Sequence, residues 1–179
     1  MVADNELIDP DEQVVIDVHV EPASDVGVYE VSLEVVGGTT GSLDLTSMTV
    51  NKARTDYIFG TSSVADAVHD AGGRLAAAMT DGTGVDVTTA NDYLGTFTYT
   101  ASSDASGVFE VKVRPIAEAF LSDSNGDSIG TSSGDSLFIG VDVECVNSHA
   151  QPLALPKIRC DPHRRQRGFP QGWRSRRKR

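Results

Sequence analysis

Between Gln13 and Glu21 apolar and polar positions alternate, with Val14, Ile16, Val18 and Val20 on one face and Val15, Asp17, His19 and Glu21 on the other. A period of two is that of a strand with one face buried. After the turn residues 22–25 the period returns, setting Tyr29, Val31, Leu33 and Val35 against Val28, Glu30, Ser32 and Glu34, and Gly37-Gly38 closes this second strand. Leu43 to Val50 predicts a third, with a break in phase near Thr46 that marks a bulge or a short corner. Tyr57-Ile58-Phe59 is a further short β-type run, closed by Gly60.

Ser62 or Ser63 can cap a short helix that carries Val64, Ala67, Val68 and Ala71 at helical spacing and stops at Gly72-Gly73. Because that glycine pair precedes it, Arg74 to Met79 is expected as a separate core strand. Tyr93 to Ala101 places Tyr93, Phe97 and Tyr99 on one face, and Gly107 to Arg114 opposes Phe109, Val111 and Val113 to Glu110 and Lys112. Ala119 to Leu121 and Leu137 to Glu144 add two more β-like runs across a loop rich in Ser, Gly and Asp. Eight or so short strands with such closely spaced turns predict an all-β protein, an antiparallel β-sandwich or jelly roll with one short helix.

From Asn147 the alternation stops, four prolines appear (Pro152, Pro156, Pro162, Pro170) and the charge changes sign. The chain of 179 residues carries a formal charge of −11, but residues 1–146 hold five Lys and Arg against twenty-five Asp and Glu, a balance of −20. Ten of the fifteen basic residues follow Asn147, where only Asp161 opposes them. The expected organisation is therefore an N-terminal extension at 1–12, a sandwich at 13–145, and a basic, disordered tail at 146–179. An out-of-frame translation product is the favoured explanation of that abrupt tail. The acidic body repels phosphates, which argues against binding nucleic acid or an anionic membrane through it. The opening twelve residues lack the basic end and apolar run of a signal peptide, and no stretch is long enough to span a bilayer.

Three stretches carry a family resemblance: Val14-Val-Ile-Asp-Val-His-Val with Asp25-Val-Gly-Val-Tyr-Glu-Val-Ser-Leu-Glu-Val, then Tyr93-Leu-Gly-Thr-Phe-Thr-Tyr-Thr-Ala with Gly107-Val-Phe-Glu-Val-Lys-Val, and Phe120-Leu-Ser-Asp-Ser-Asn-Gly-Asp-Ser-Ile. They resemble the cohesins, the β-sandwich receptor modules of cellulosomes and related bacterial surface proteins. One departure is Val36-Gly-Gly-Thr-Thr-Gly-Ser-Leu, which stands where the family has a short turn of aspartate and proline. The resemblance implies a non-catalytic module that holds a protein partner such as a dockerin on one sheet face. It also implies an extracellular or cell-surface setting, within a longer exported protein. The alternatives are a carbohydrate-binding sandwich, which needs exposed planar aromatics, and a structural spacer.

Asp123-x-Asn125-x-Asp127 has the alternating oxygen ligands that open a calcium loop, but Gly134 occupies the position where a bidentate Glu is needed. Asn125-Gly126 is the signal of a type I′ hairpin turn, the preferred reading. Gly130-Thr-Ser-Ser-Gly134 matches a serine-hydrolase elbow around Ser132, yet a strand rather than a helix follows it. His69-Asp70, as neighbours on a helix, point apart, and His19 is read as part of a solvated strand face. Cys145-x₃-His149 and Cys160-x₂-His163 match no common zinc spacing, and whether Cys145 and Cys160 pair stays open. In the tail, Arg164-Arg-Gln-Arg, Arg174-Ser-Arg-Arg-Lys-Arg, Phe169 and Trp173 offer the one route to nucleic acid. No catalytic residue, cofactor or assigned partner-binding residue is expected.

Overall fold

Along Gln13–His19 the alternation becomes a burial pattern: Val14, Ile16 and Val18 are at most 2% exposed, while Val15, Asp17 and His19 stay partly open. The computed structural model describes residues 1–60, 68–69, 73–114, 120–130, 134 and 136–143. Its strands are β1 (Val2–Ala3), β2 (Leu7–Ile8), β3 (Gln13–His19), β4 (Ala23–Gly37), β5 (Leu43–Thr49), β6 (Val68–His69) and β7 (Arg74–Ala78). They continue with β8 (Val85–Val87), β9 (Tyr93–Ala101), β10 (Gly107–Val113), β11 (Phe120–Asp123), β12 (Ser128–Ile129) and β13 (Leu137–Val141).

The smaller sheet runs β1-β3-β9-β5, and every pairing in it is antiparallel. The larger sheet is organised by β4, whose 15 residues reach about 50 Å at strand rise. Segment 26–30 of β4 pairs with β11 and segment 33–37 with β10, while β7 takes 28–32 and β8 pairs near Ala23 and Val26. β13 joins β10 antiparallel, and β2 pairs with β13 in parallel, an exception to the antiparallel pattern expected. The first twelve residues thus supply one short strand to each sheet.

Both sheets turn apolar faces into one core. Val14, Ile16, Phe97, Tyr99 and Leu43 come from the smaller sheet, and Tyr29, Val31, Leu75, Phe109, Val111 and Ile139 from the larger. Each large aliphatic or aromatic side chain among them contributes about 1.5–3 kcal/mol on burial, so the alternating positions supply the main drive that brings the two sheets together.

Three local expectations are corrected. Of the helix expected from Ser62 to Ala71, Val68 and His69 form a strand paired with Ala76 and Leu75, and the remaining positions lie outside the described residues. Gly73, at φ 78°, allows the reversal between the two strands. Tyr57-Ile58-Phe59 is a plug at one end of the sandwich, at most 1% exposed, tied to the sheet by a single bridge from Tyr57 to Tyr93. Three large side chains in a row fill that end better than a half-exposed strand would. Finally, the β11–β12 turn is not type I′, because Asn125 is not left-handed and Gly126 alone is, at φ 88°. Gly126 N–H donates to the Asp123 carbonyl at 3.1 Å and Asp123 N–H to the Asp127 carbonyl at 2.9 Å, a type I turn closed by a glycine bulge.

Candidate recognition surfaces

Strand alternation assigns the outward side chains of the larger sheet: Val28, Glu30, Glu34 and Val36 on β4, Arg74, Ala76 and Ala78 on β7, and Val108, Glu110 and Lys112 on β10. Glu30 faces Ala76 across one strand pair and Phe120 across the other, and Glu110 stands between Val36 and Phe138. Arg74 Nη1 lies 3.3 Å from Glu30 and Lys112 Nζ 3.3 Å from Glu34. Ser136 Oγ donates to Glu110 Oε1 at 2.5 Å. Val36 and Val108 are 39% and 37% exposed. Apolar and charged side chains are therefore interspersed on this outward face.

A second constellation lies at one end of the smaller sheet, and the sequence did not reveal it. His19 Nδ1 sits 2.8 Å from Asp92 Oδ1. Arg54 grips Asp56 with two hydrogen bonds, Nε to Oδ1 at 2.8 Å and Nη2 to Oδ2 at 2.6 Å, and reaches Asp17 Oδ2 through Nη1 at 2.6 Å. Thr96 Oγ1 donates to Asp17 Oδ1 at 2.6 Å, and the Tyr93 hydroxyl meets Thr96 Oγ1 at 2.7 Å. The guanidinium carbon rests 3.9 Å from the Tyr93 ring centre, and the His19 ring packs edge-on to the same ring. Hydrogen bonding from Arg54 holds the Asp56 carboxyl below the usual carboxylate range, and the same pairing, with Asp56 and Asp17, raises the guanidinium.

What brings these groups together is a register slip. Val18 faces Gly95 but His19 faces Tyr93, so the strands skip Leu94 and turn Tyr93 toward the outward side chains of β3. Asp17-x-His19 on an outward face was visible in the sequence; its partners from segment 51–60 were not.

The other candidates are placed as follows. Asp123 Oδ1 accepts the N–H groups of Asp127 (2.8 Å) and Asn125 (2.9 Å), so this carboxylate braces its own turn, and those hydrogen bonds hold its pKa below the ordinary value. Ser132, Asp70, Cys145, His149, Cys160, His163, Phe169, Trp173 and the basic runs lie outside the described residues, and His69 is described only as part of β6. Tyr29, Tyr57 and Tyr93 are fully buried and Tyr99 is 3% exposed, so none of the four forms the exposed aromatic platform that sugar binding requires.

No family model and no curated protein matches this chain in sequence. Solved structures do match it. The cohesin CaCohA2, of Clostridium acetobutylicum, taken from a complex, superimposes with a TM-score of 0.54 over 75% of this chain and 93% of its own, at 15% identity. The fold is that of the cohesins. A type I cohesin–dockerin complex of Clostridium thermocellum, built on the OlpA cohesin, matches with a TM-score of 0.50 over 78% of this chain and 96% of that one, at 13% identity. This chain thus shares the cohesin strand framework at 13–15% sequence identity.

Proposed function

We propose that this cohesin-like domain is a recognition module that holds a protein partner of the dockerin kind, within an extracellular or cell-surface assembly. The observation that carries the proposal is the structural likeness to cohesins, one of them solved as a cohesin–dockerin complex. The outward face of the larger sheet is the best-suited surface. It presents Val28, Ala76 and Ala78 beside Glu30 and Arg74, and Val36 and Val108 beside Glu110 and Lys112. The strongly acidic body favours a partner with basic residues around an apolar centre, since complementary charge speeds encounter and fixes orientation. The buried tyrosines weigh against polysaccharide as the ligand.

Calorimetric titration of the full chain against a panel of dockerins tests this, alongside retention on a glycan array. Saturable binding to a dockerin is expected, and Ala76→Arg should weaken it by at least about tenfold, roughly 1.4 kcal/mol, with the melting temperature unchanged. Glycan retention without protein binding would favour the carbohydrate alternative; no retained ligand of either kind would leave a spacer role.

A further inference from the structure

His19, Asp56 and Asp92 each present a ligand atom, and the three atoms lie within 4.8 Å of one another. We propose that these residues bind one divalent transition-metal ion, zinc by preference, with a water molecule in the fourth position.

The donor set selects the metal class. An imidazole nitrogen with two carboxylates suits Zn²⁺, whereas Ca²⁺ and Mg²⁺ are held by oxygens alone. A tetrahedral Zn²⁺ with bonds of about 2.0–2.2 Å separates its ligand atoms by roughly 3.4 Å. The 2.8 Å contact between His19 Nδ1 and Asp92 Oδ1 therefore has to open slightly as the Asp56 oxygen closes in. Side-chain movement alone supplies this, because the backbone is already pinned: Tyr93 N–H donates to the Asp56 carbonyl at 2.9 Å and Val20 N–H to the Asp92 carbonyl at 2.9 Å.

The surroundings are those of a supported metal site. Ligands on well-made sites are oriented by hydrogen bonds from the residues behind them. Arg54 takes both oxygens of Asp56, is itself anchored by Asp17 and lies on the Tyr93 ring, while Thr96 anchors Asp17. Each Asp56 oxygen keeps a second lone pair for a metal. Charge points the same way. Asp17 and Asp56 share the Arg54 guanidinium and Asp92 lies against the His19 imidazole, so a divalent ion would add positive charge beside three carboxylates. The His19, Asp92 and Asp56 side chains remain 25%, 24% and 30% exposed, which leaves solvent access for the ion and its water. Bound there, the ion would clamp segment 51–60 to the ends of β3 and β9.

The test uses the full chain, stripped of metal and titrated with Zn²⁺ and with Co²⁺. One equivalent should bind, with the visible absorption of four-coordinate Co²⁺ and no sulfur-to-cobalt charge-transfer band. His19→Gln and Asp92→Asn should each lower affinity at least about 100-fold, and Arg54→Lys, which keeps the charge but not the two-pronged grip, about 10–100-fold. Should either ligand variant fail to fold, the His19 ring nitrogen resonances of the unaltered chain decide, since coordination shifts Nδ1 on adding Zn²⁺. The proposal is overturned by no binding, by binding undiminished in His19→Gln, by an unshifted Nδ1, or by a thiolate band, which would place the metal on Cys145 or Cys160.

Discussion

The Tyr29 hydroxyl, on β4 of the larger sheet, donates a 2.7 Å hydrogen bond to the carbonyl of Leu94 on β9 of the smaller sheet. It crosses the core and satisfies a buried carbonyl at the register slip where β3 and β9 skip one residue. Tyr29→Phe keeps the ring and its contact with Phe59 but orphans that carbonyl, so it should cost about 1–3 kcal/mol in urea unfolding. Tyr57 gives the opposite expectation. Its hydroxyl is buried with no aligned hydrogen-bond partner among the described residues, so Tyr57→Phe should be at least as stable as the unaltered chain.

Burial pushes the Tyr99 phenol up to about 12. A group whose pKa is raised on folding stabilises fully below its unfolded value, about 10 for tyrosine, and loses that contribution as pH climbs through the folded value. Stability should therefore fall between about pH 10 and 12, as read by denaturant unfolding across that range. Tyr29 and Tyr57 are pushed in the same direction by burial, so Tyr99→Phe should reduce the alkaline loss without abolishing it.

Asp123 governs the acid side of one hairpin. Backbone N–H groups of Asp127 and Asn125 stabilise its carboxylate, and its lowered pKa means that stabilisation is present above the unfolded value, about 3.9, and disappears as pH drops through the folded one. Asp123→Ala should speed amide exchange at Asn125 and Asp127 at neutral pH. The unaltered chain should show the same loosening only in acid, as read by pH-dependent amide exchange.

Gly95 marks a tight approach between the sheets. A Cβ added there would fall within 2.5 Å of the Leu75 Cδ2 methyl and 3.2 Å from the Thr49 carbonyl. Gly95→Ala should cost about 1–3 kcal/mol through overpacking. Combined with Leu75→Ala, it should cost less than the two changes summed, since the second removes the methyl the first strikes; a double-mutant cycle in denaturant measures this.

How much of this was legible differs from element to element. β3, β4, β9 and β10 could be read from period-two alternation because each buries one face along most of its length, and length multiplies a weak signal. The segment around Val68 could not. Val64, Ala67, Val68 and Ala71 satisfy helical spacing, yet Val68 and His69 pair with Ala76 and Leu75, because an unfilled sheet edge offers hydrogen bonds that local spacing does not record. At Asn125-Gly126 the dipeptide foretold a hairpin, but Asp123's side chain, bonding the N–H groups of Asn125 and Asp127, accompanies a different turn type.

The sequence by itself determined the class of fold and the acidic body, since period-two alternation is read a few positions at a time and the charge balance is a count of residues. Tertiary structure alone decided which side chains meet. His19 looked like one more solvated residue on an exposed strand face. It stands beside Asp92, Asp56 and Tyr93 because β3 and β9 slip by one residue and segment 51–60 folds back against their ends. Those partners lie more than thirty positions away along the chain, and no local pattern of hydrophobic and polar residues encodes a pairing register at that range.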